Sequence, residues 1–154
     1  MLTQVVLFLA LFAYSFVVSQ SFSYIISLRN VLGRLDANSY ILMRKLIDEN
    51  FRAKFKYVFY STWIFVPVLC IVSAVEKDFF VFTCALISLA GYLADTIFML
   101  NGNMPINNTI NSWNNESYPS DWDRYRQLWF RAFTKRQVSN TIGFISLLVA
   151  AVFQ

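Results

Sequence analysis

A set of polar and aromatic side chains in the second half of the chain combines residue types that bind an anionic oxygen. Arginine and asparagine donate hydrogen bonds to an oxyanion, and tryptophan rings pack against flat apolar molecules. A carboxylate late in a long apolar stretch adds a charge where charge is costly and by default indicates a functional site. We take seven residues as candidates for a ligand-binding site: Asp95, Asn103, Asn107, Trp122, Arg126, Trp129 and Arg136.

Intervals of three and four residues predict that part of this set shares one helical stripe, made of Trp122, Arg126, Trp129, Phe133 and Arg136. The stripe fits a cradle for a flat aromatic or anionic ligand. It also fits an interfacial belt of tryptophans with basic anchors, which is the interpretation we favour. The carboxylate that precedes it is expected either to hold a proton or to form a buried ion pair with one of the two arginines.

The chain contains no histidine, which removes the commonest general base and the commonest ligand of zinc, copper and haem iron. Cys70 and Cys84 both fall within apolar stretches, and two thiols without histidine form no metal motif. We therefore expect no metal and no cofactor, and the sequence assigns no catalytic residue.

The elements that must position these side chains are membrane helices. Hydrophobic residues make up 57% of the 154 residues and charged residues 14%, against about 25% charged in a soluble domain. Four stretches have the roughly 20 apolar residues that a bilayer core requires. The sequence predicts an all-α, single-domain bundle of four transmembrane helices, with spans at about 3–28, 57–75, 79–100 and 137–154.

An amphipathic helix is predicted between the first two spans, beginning near Tyr40 and capped by Asp36, Asn38 or Ser39. One face is apolar and contains Tyr40, Ile41, Met43, Leu46, Ile47 and Phe51. The other face carries Arg44, Lys45, Asp48, Glu49 and Arg52. Such a helix is expected to lie on the membrane surface or under the bundle, or to dock a partner.

A polar loop rich in asparagine, residues 101–116, is predicted to follow the third span. Asn101-Gly102 favours a turn, and Pro105 favours an extended residue before it. Asn107 is expected to cap a short helix over 108–113. Ser120 and Asp123 have the spacing of a capping box for the helix that carries the stripe.

Positive charge is concentrated on one side of the predicted membrane. Seven Lys and Arg lie in 29–56 and five in 124–136, which leaves only Lys77 on the other side. The positive-inside rule makes the basic side cytoplasmic and places both termini outside. The two glycosylation sequons, at Asn107 and Asn115, would then be unused. We expect these charges to meet membrane lipids rather than nucleic acid.

The sequence resembles the anthrone-oxygenase-like family of membrane proteins in one short motif and three later residues: Asn103-Met104-Pro105-Ile106-Asn107-Asn108, Trp122, Trp129 and Arg136. The resemblance extends loosely over the whole chain. It implies a four-helix membrane fold and, as in a few members, cofactor-free oxidation of anthrones to anthraquinones. The family often has a histidine ahead of the last helix, where this chain reads Phe133-Thr134-Lys135-Arg136. Asp95 or Lys135 would have to act as the base instead.

Three functions remain open on these observations. The favoured hypothesis is a non-catalytic accessory subunit of a membrane complex or a protein that binds a lipophilic small molecule. The second is a cofactor-independent oxygenase for a lipophilic, anthrone-like aromatic substrate. A transporter or channel is the third, and it has the least support because the paired broken helices of transporters are missing from the sequence pattern.

Overall fold

The computed structural model describes residues 1–114 and 117–154. The first long segment begins with helix α1 (Leu2–Ser23) and continues through a π-helical turn (Tyr24–Leu28) into α2 (Arg29–Arg34). A π-helical turn accommodates one extra residue in a helix, and such turns are frequent at functional sites.

The other three segments are helical over almost their whole length. α3 covers Ala37–Val75, and α4 (Phe79–Phe98) continues through a second π-helical turn (Met99–Asn103) into α5 (Met104–Ser112). α6 covers Trp122–Phe153. Neighbouring segments pack in the order α1, α3, α4, α6 and back to α1, which gives an antiparallel four-helix ring.

All four segments are long and apolar enough to cross a membrane. They contain 33, 39, 34 and 32 residues, and at about 1.5 Å per residue they reach roughly 50–60 Å. A bilayer core is about 30 Å thick, so the helices extend well beyond it. The predicted all-α four-helix membrane bundle is confirmed, and the many apolar side chains exposed along the helices fit contact with membrane lipid.

The predicted amphipathic helix is the first half of α3, and part of its charged face is buried in the bundle. Asp36 caps it, and the Asp36 carboxylate accepts a hydrogen bond of 3.4 Å from the Ser39 N–H. Arg44 and Asp48 are buried, whereas the apolar Leu46 is exposed. Both charges find hydrogen-bonding partners in the bundle interior, Arg44 at the Tyr24 hydroxyl and Asp48 at the Asn107 amide.

The predicted polar loop is largely helical. Asn101-Gly102 forms part of the second π-helical turn instead of a reverse turn, and Met104 has helical angles (φ −64°, ψ −48°) instead of extended ones. Pro105 lies in the first turn of α5, where a missing N–H is tolerated. Asn107 lies within α5 rather than capping it.

α6 unites the predicted stripe and the predicted last span in one helix. It begins at Trp122 with Asp121 as the capping residue and without a side-chain cap. The expected capping box does not form, since the Asp123 carboxylate pairs with Arg126 one turn later. The sequon at Asn115 includes two residues outside the described part of the chain.

Candidate functional site

A cavity of about 180 Å³ lies near the basic end of the bundle, between α1, α3, the α4–α5 segment and α6. Much of its wall is apolar and consists of Phe51, Phe55, Phe59, Met99 and Met104. The polar and charged part of the wall consists of Gln20, Arg44, Asp48, Arg52, Lys56, Asn103, Asn107, Trp129 and Arg136. The cavity therefore combines aromatic surface with several hydrogen-bond donors.

Four of the seven predicted site residues line this cavity: Asn103, Asn107, Trp129 and Arg136. Asp95 lies behind the cavity wall, in contact with Arg136. Trp122 and Arg126 do not line the cavity, although Trp122 packs against the apolar cluster that includes Trp129. The structure thus places five of the seven residues in the cavity wall or directly behind it.

Asp95 and Arg136 form the buried ion pair that the sequence predicts as one of two possibilities. Arg136 Nε lies 2.6 Å from Asp95 Oδ1, and Arg136 Nη2 lies 3.4 Å from Asp95 Oδ2. Asp95 is 1% exposed and Arg136 4% exposed, so both charges are shielded from water. The pair holds the guanidinium of Arg136 in place at the cavity wall.

Trp122 and Arg126 join α6 to the end of α2. The Arg126 guanidinium donates a hydrogen bond of 2.9 Å to the Leu35 carbonyl and one of 3.4 Å to the Leu32 carbonyl. It also lies 4.7 Å from the centre of the Trp122 ring. A cation that satisfies free carbonyls at a helix end has a structural role. Neither residue lines the cavity that the other candidates border.

Asn107 links α3 to α6 through two hydrogen bonds. Its Nδ2 donates to Asp48 Oδ1 at 2.7 Å, and its Oδ1 accepts from Trp129 Nε1 at 2.8 Å. The second oxygen of Asp48 accepts from Asn111 and Arg52, both at 2.8 Å. This network fixes the orientation of the Trp129 ring. Trp129 is buried within the bundle, so it does not belong to the interfacial aromatic belt that the sequence pattern favours.

Arg44 is the functional candidate that sequence reasoning missed. Its Nη1 donates to the Tyr24 hydroxyl at 2.8 Å, and its guanidinium carbon lies 4.3 Å from the centre of the Trp129 ring. Its Nε is buried and has no hydrogen-bond partner within residues 1–114 and 117–154. The four-residue spacing of Arg44, Asp48 and Arg52 along α3 was the available signal for a second polar stripe.

Asn103 supplies an acceptor that complements this donor. Asn103 Nδ2 donates to the Trp129 carbonyl at 3.1 Å, which fixes the orientation of the amide. Its Oδ1 is buried and lacks a hydrogen-bond partner in the described part of the chain. Met99, Asn103 and Asn107 recur at four-residue intervals across the π-helical turn, and all three line the cavity.

Comparison of the chain with protein families, curated proteins and solved structures gives no match. Within residues 1–114 and 117–154, no three His, Cys, Asp or Glu side chains come close enough together to hold a metal ion. Among the described residues, this cavity combines an apolar wall with two lining residues, Arg44 and Asn103, that each have a buried polar atom lacking a hydrogen-bond partner.

Proposed function

We propose that the protein binds a lipophilic molecule carrying an oxygen group, with that group placed at Arg44 and Asn103. One observation carries the proposal: two residues lining the same aromatic cavity each keep a buried polar atom that has no partner among the described residues. A buried polar atom left unsatisfied costs about 1–3 kcal/mol. A bound ligand would remove that cost at both residues.

The chemistry of the two atoms restricts the ligand. Arg44 Nε is a donor and selects a carbonyl, phenolate or carboxylate oxygen, while Asn103 Oδ1 is an acceptor and selects a hydroxyl or N–H group. The apolar body of the ligand would pack against Phe55 and Phe59. Sites for drug-sized ligands usually measure about 300–1,000 Å³, so this smaller cavity fits the polar end of a molecule whose remainder stays in the membrane.

The direct test is purification from native membranes in mild detergent, followed by solvent extraction and mass spectrometry of small molecules. Wild-type protein is compared with Asn103→Ala and with Asn101→Ala, an exposed residue in the same π-helical turn that does not line the cavity. Wild type and Asn101→Ala are expected to carry the same molecule. Asn103→Ala should retain about tenfold less, as expected for one lost hydrogen bond in a buried site. Equal retention by all three proteins would contradict the proposal.

We favour a non-catalytic form of this function, as a binding or accessory subunit in a membrane complex. The absence of histidine supports this form, as does Asp48, whose two oxygens accept three hydrogen bonds from neighbouring side chains. The same purification tests this non-catalytic role, because a subunit should co-elute with stoichiometric protein partners. Recovery of an isolated protein that turns over its bound molecule would rule it out.

The alternative proposal is a cofactor-independent oxygenase acting on an anthrone-like aromatic substrate. It is favoured by the three arginines that line the cavity with Asn103, since such donors stabilise an enolate or phenolate. A base would remove a proton from the ring CH₂, and O₂ would oxidise that carbon to a ketone with release of water. Asp48 replaces Asp95 and Lys135 as the candidate base because it lines the cavity. Oxygen consumption with anthrone, lost in Asp48→Asn, is the expected result of this alternative.

We also propose that the basic end of the bundle faces the cytoplasm, because nearly all Lys and Arg lie there. Lys54→Cys and Lys77→Cys place a thiol at opposite ends of the bundle, and the two native cysteines are buried. In intact cells, a membrane-impermeant maleimide is expected to label Lys77→Cys but not Lys54→Cys. The reverse labelling pattern would show the opposite orientation.

A further inference from the structure

A groove separate from the cavity lies on the outer surface of the bundle, between α6 and the α4–α5 segment. Three basic residues line it: Arg29, Arg131 and Lys135. No carboxylate lines it in the described part of the chain. A groove with three cations and no anion attracts a negatively charged group.

Apolar and aromatic contacts hold two of these cations at the groove. Arg29 donates a hydrogen bond of 3.3 Å to the Thr134 hydroxyl and lies 5.7 Å from the centre of the Phe130 ring. Lys135 Nζ lies 5.6 Å from the centre of the Phe98 ring. Phe98 also forms part of the groove floor, so cations and apolar surface are adjacent.

A second groove continues from the first, between the π-helical turn that follows α1 and helix α6. The two grooves share Arg29 and Thr134, and the second is lined further on by Ile25, Val138 and Ile142. Thr134 and Ile142 are eight residues apart on α6, which corresponds to about 12 Å along the helix axis. The second groove therefore leads from the basic end into the apolar part of the bundle.

We propose that these joined grooves bind one anionic phospholipid, independently of the cavity. The phosphate lies between Arg29 and Lys135, with Arg131 at the far side of the headgroup. One acyl chain follows Ile25, Val138 and Ile142 toward the middle of the membrane. Basic pockets between transmembrane helices bind anionic headgroups in this manner.

The joined shape of the two grooves distinguishes the binding of one lipid from general attraction between a basic surface and anionic lipid. General attraction depends only on the number of charges, and the chain has other basic residues at the same end. A bound lipid depends on which charges are removed and on whether the acyl groove is open. Both dependences are measurable.

The test is native mass spectrometry of the full chain in a neutral detergent, titrated with phosphatidylglycerol or with phosphatidylcholine of the same acyl chains. Wild type is expected to retain one phosphatidylglycerol and to prefer it over phosphatidylcholine. Arg29→Gln/Lys135→Gln should weaken phosphatidylglycerol retention about tenfold or more, from roughly 1 kcal/mol per basic residue. Arg124→Gln/Lys54→Gln removes the same charge outside both grooves and should retain the lipid like wild type.

Val138→Trp tests the acyl groove with all charges intact and keeps the proposal testable if the charge variant fails to fold. It is expected to weaken phosphatidylglycerol retention while leaving the protein folded by circular dichroism. Three results would overturn the proposal: no preference of wild type for the anionic lipid, equal losses in the two charge variants, or unchanged retention in Val138→Trp. Displacement of the lipid by millimolar inorganic phosphate alone would also overturn it, in favour of a free-phosphate site.

Discussion

Arg136 on α6 and Asp95 on α4 form an ion pair that is almost completely buried, with 2.6 Å between Nε and Oδ1. Burial of two charges is unfavourable unless their geometry and hydrogen bonding are good. This pair satisfies that condition through two nitrogen–oxygen contacts. Its effect is to place a positively charged side chain at the cavity without exposing an unpaired charge to the bundle interior.

Removing the carboxylate should therefore destabilise the protein strongly. Asp95→Leu leaves the Arg136 guanidinium buried without its partner and is expected to lower the free energy of unfolding by about 3–5 kcal/mol. Thermal unfolding in detergent, followed by circular dichroism, measures the change. The double variant Asp95→Leu/Arg136→Met removes both charges and should recover most of the loss. A single variant as stable as wild type would contradict a buried pair.

The ion pair was predictable because a single charge late in an apolar span requires a partner. The inward position of Arg44 and Asp48 was not predictable in the same way. Periodicity identifies which residues of α3 share a face, but it does not say whether that face meets the bundle or its surroundings. In a soluble protein the apolar face turns inward, whereas a helix in lipid gains little from doing so. The neighbours in the first π-helical turn, in α5 and in α6 decide the orientation here.

Asn107 should be more important for stability than its neighbour Asn108. Asn107→Leu removes one hydrogen bond from Asp48 and one from Trp129, and we expect a loss of about 2–4 kcal/mol. Asn108→Leu is the matched control, since Asn108 is exposed and accepts one bond of 2.9 Å from the exposed side of Arg52. Unfolding followed by tryptophan fluorescence measures both. Equal losses in the two variants would argue against the Asp48–Asn107–Trp129 network.

The predicted turn at Asn101-Gly102 fails for an identifiable reason. Gly102 is helical, and a Cβ placed on it would lie 2.8 Å from the Ala132 Cβ of α6. The glycine therefore permits close helix packing instead of supplying turn geometry. The local sequence, a glycine next to an asparagine, is the same whether the glycine forms a reverse turn or permits close helix packing. Only the position of α6 distinguishes the two roles, and that position depends on the whole bundle.

Gly102→Ala and Gly33→Ala should change stability in opposite directions. A methyl group at Gly102 meets Ala132, so we expect a loss of about 1–3 kcal/mol from overpacking. A methyl group at Gly33 in α2 has no heavy atom within 4 Å, so the higher helix propensity of alanine should stabilise the protein by about 0.5–1 kcal/mol. Thermal unfolding of both variants gives the comparison. The double variant Gly102→Ala/Ala132→Gly should restore stability. Failure of this rescue would show that the loss in Gly102→Ala does not come from the contact with Ala132.

The loss of stability at acid pH should depend on a contact between Thr3 and Glu76. This contact lies at the end of the bundle opposite the basic end. The Thr3 hydroxyl and N–H donate to Glu76 Oε2 at 2.7 and 3.3 Å, and these bonds hold the pKa of Glu76 below its usual value of 4.5. A lowered native pKa means that the stabilisation is complete above the usual value and is lost as the pH falls through the native pKa.

Thr3→Val removes the hydroxyl donor and should raise the pKa of Glu76 toward 4.5, with a smaller loss of stability on acidification. Carbon-13 NMR of the labelled glutamate carboxyls gives the pKa, and unfolding between neutral pH and pH values below 4.5 gives the stability. Thr83→Val is the control, because the Thr83 hydroxyl donates to the Phe79 carbonyl of its own helix. An unchanged pKa of Glu76 in Thr3→Val would show that the Thr3 hydroxyl does not stabilise the carboxylate.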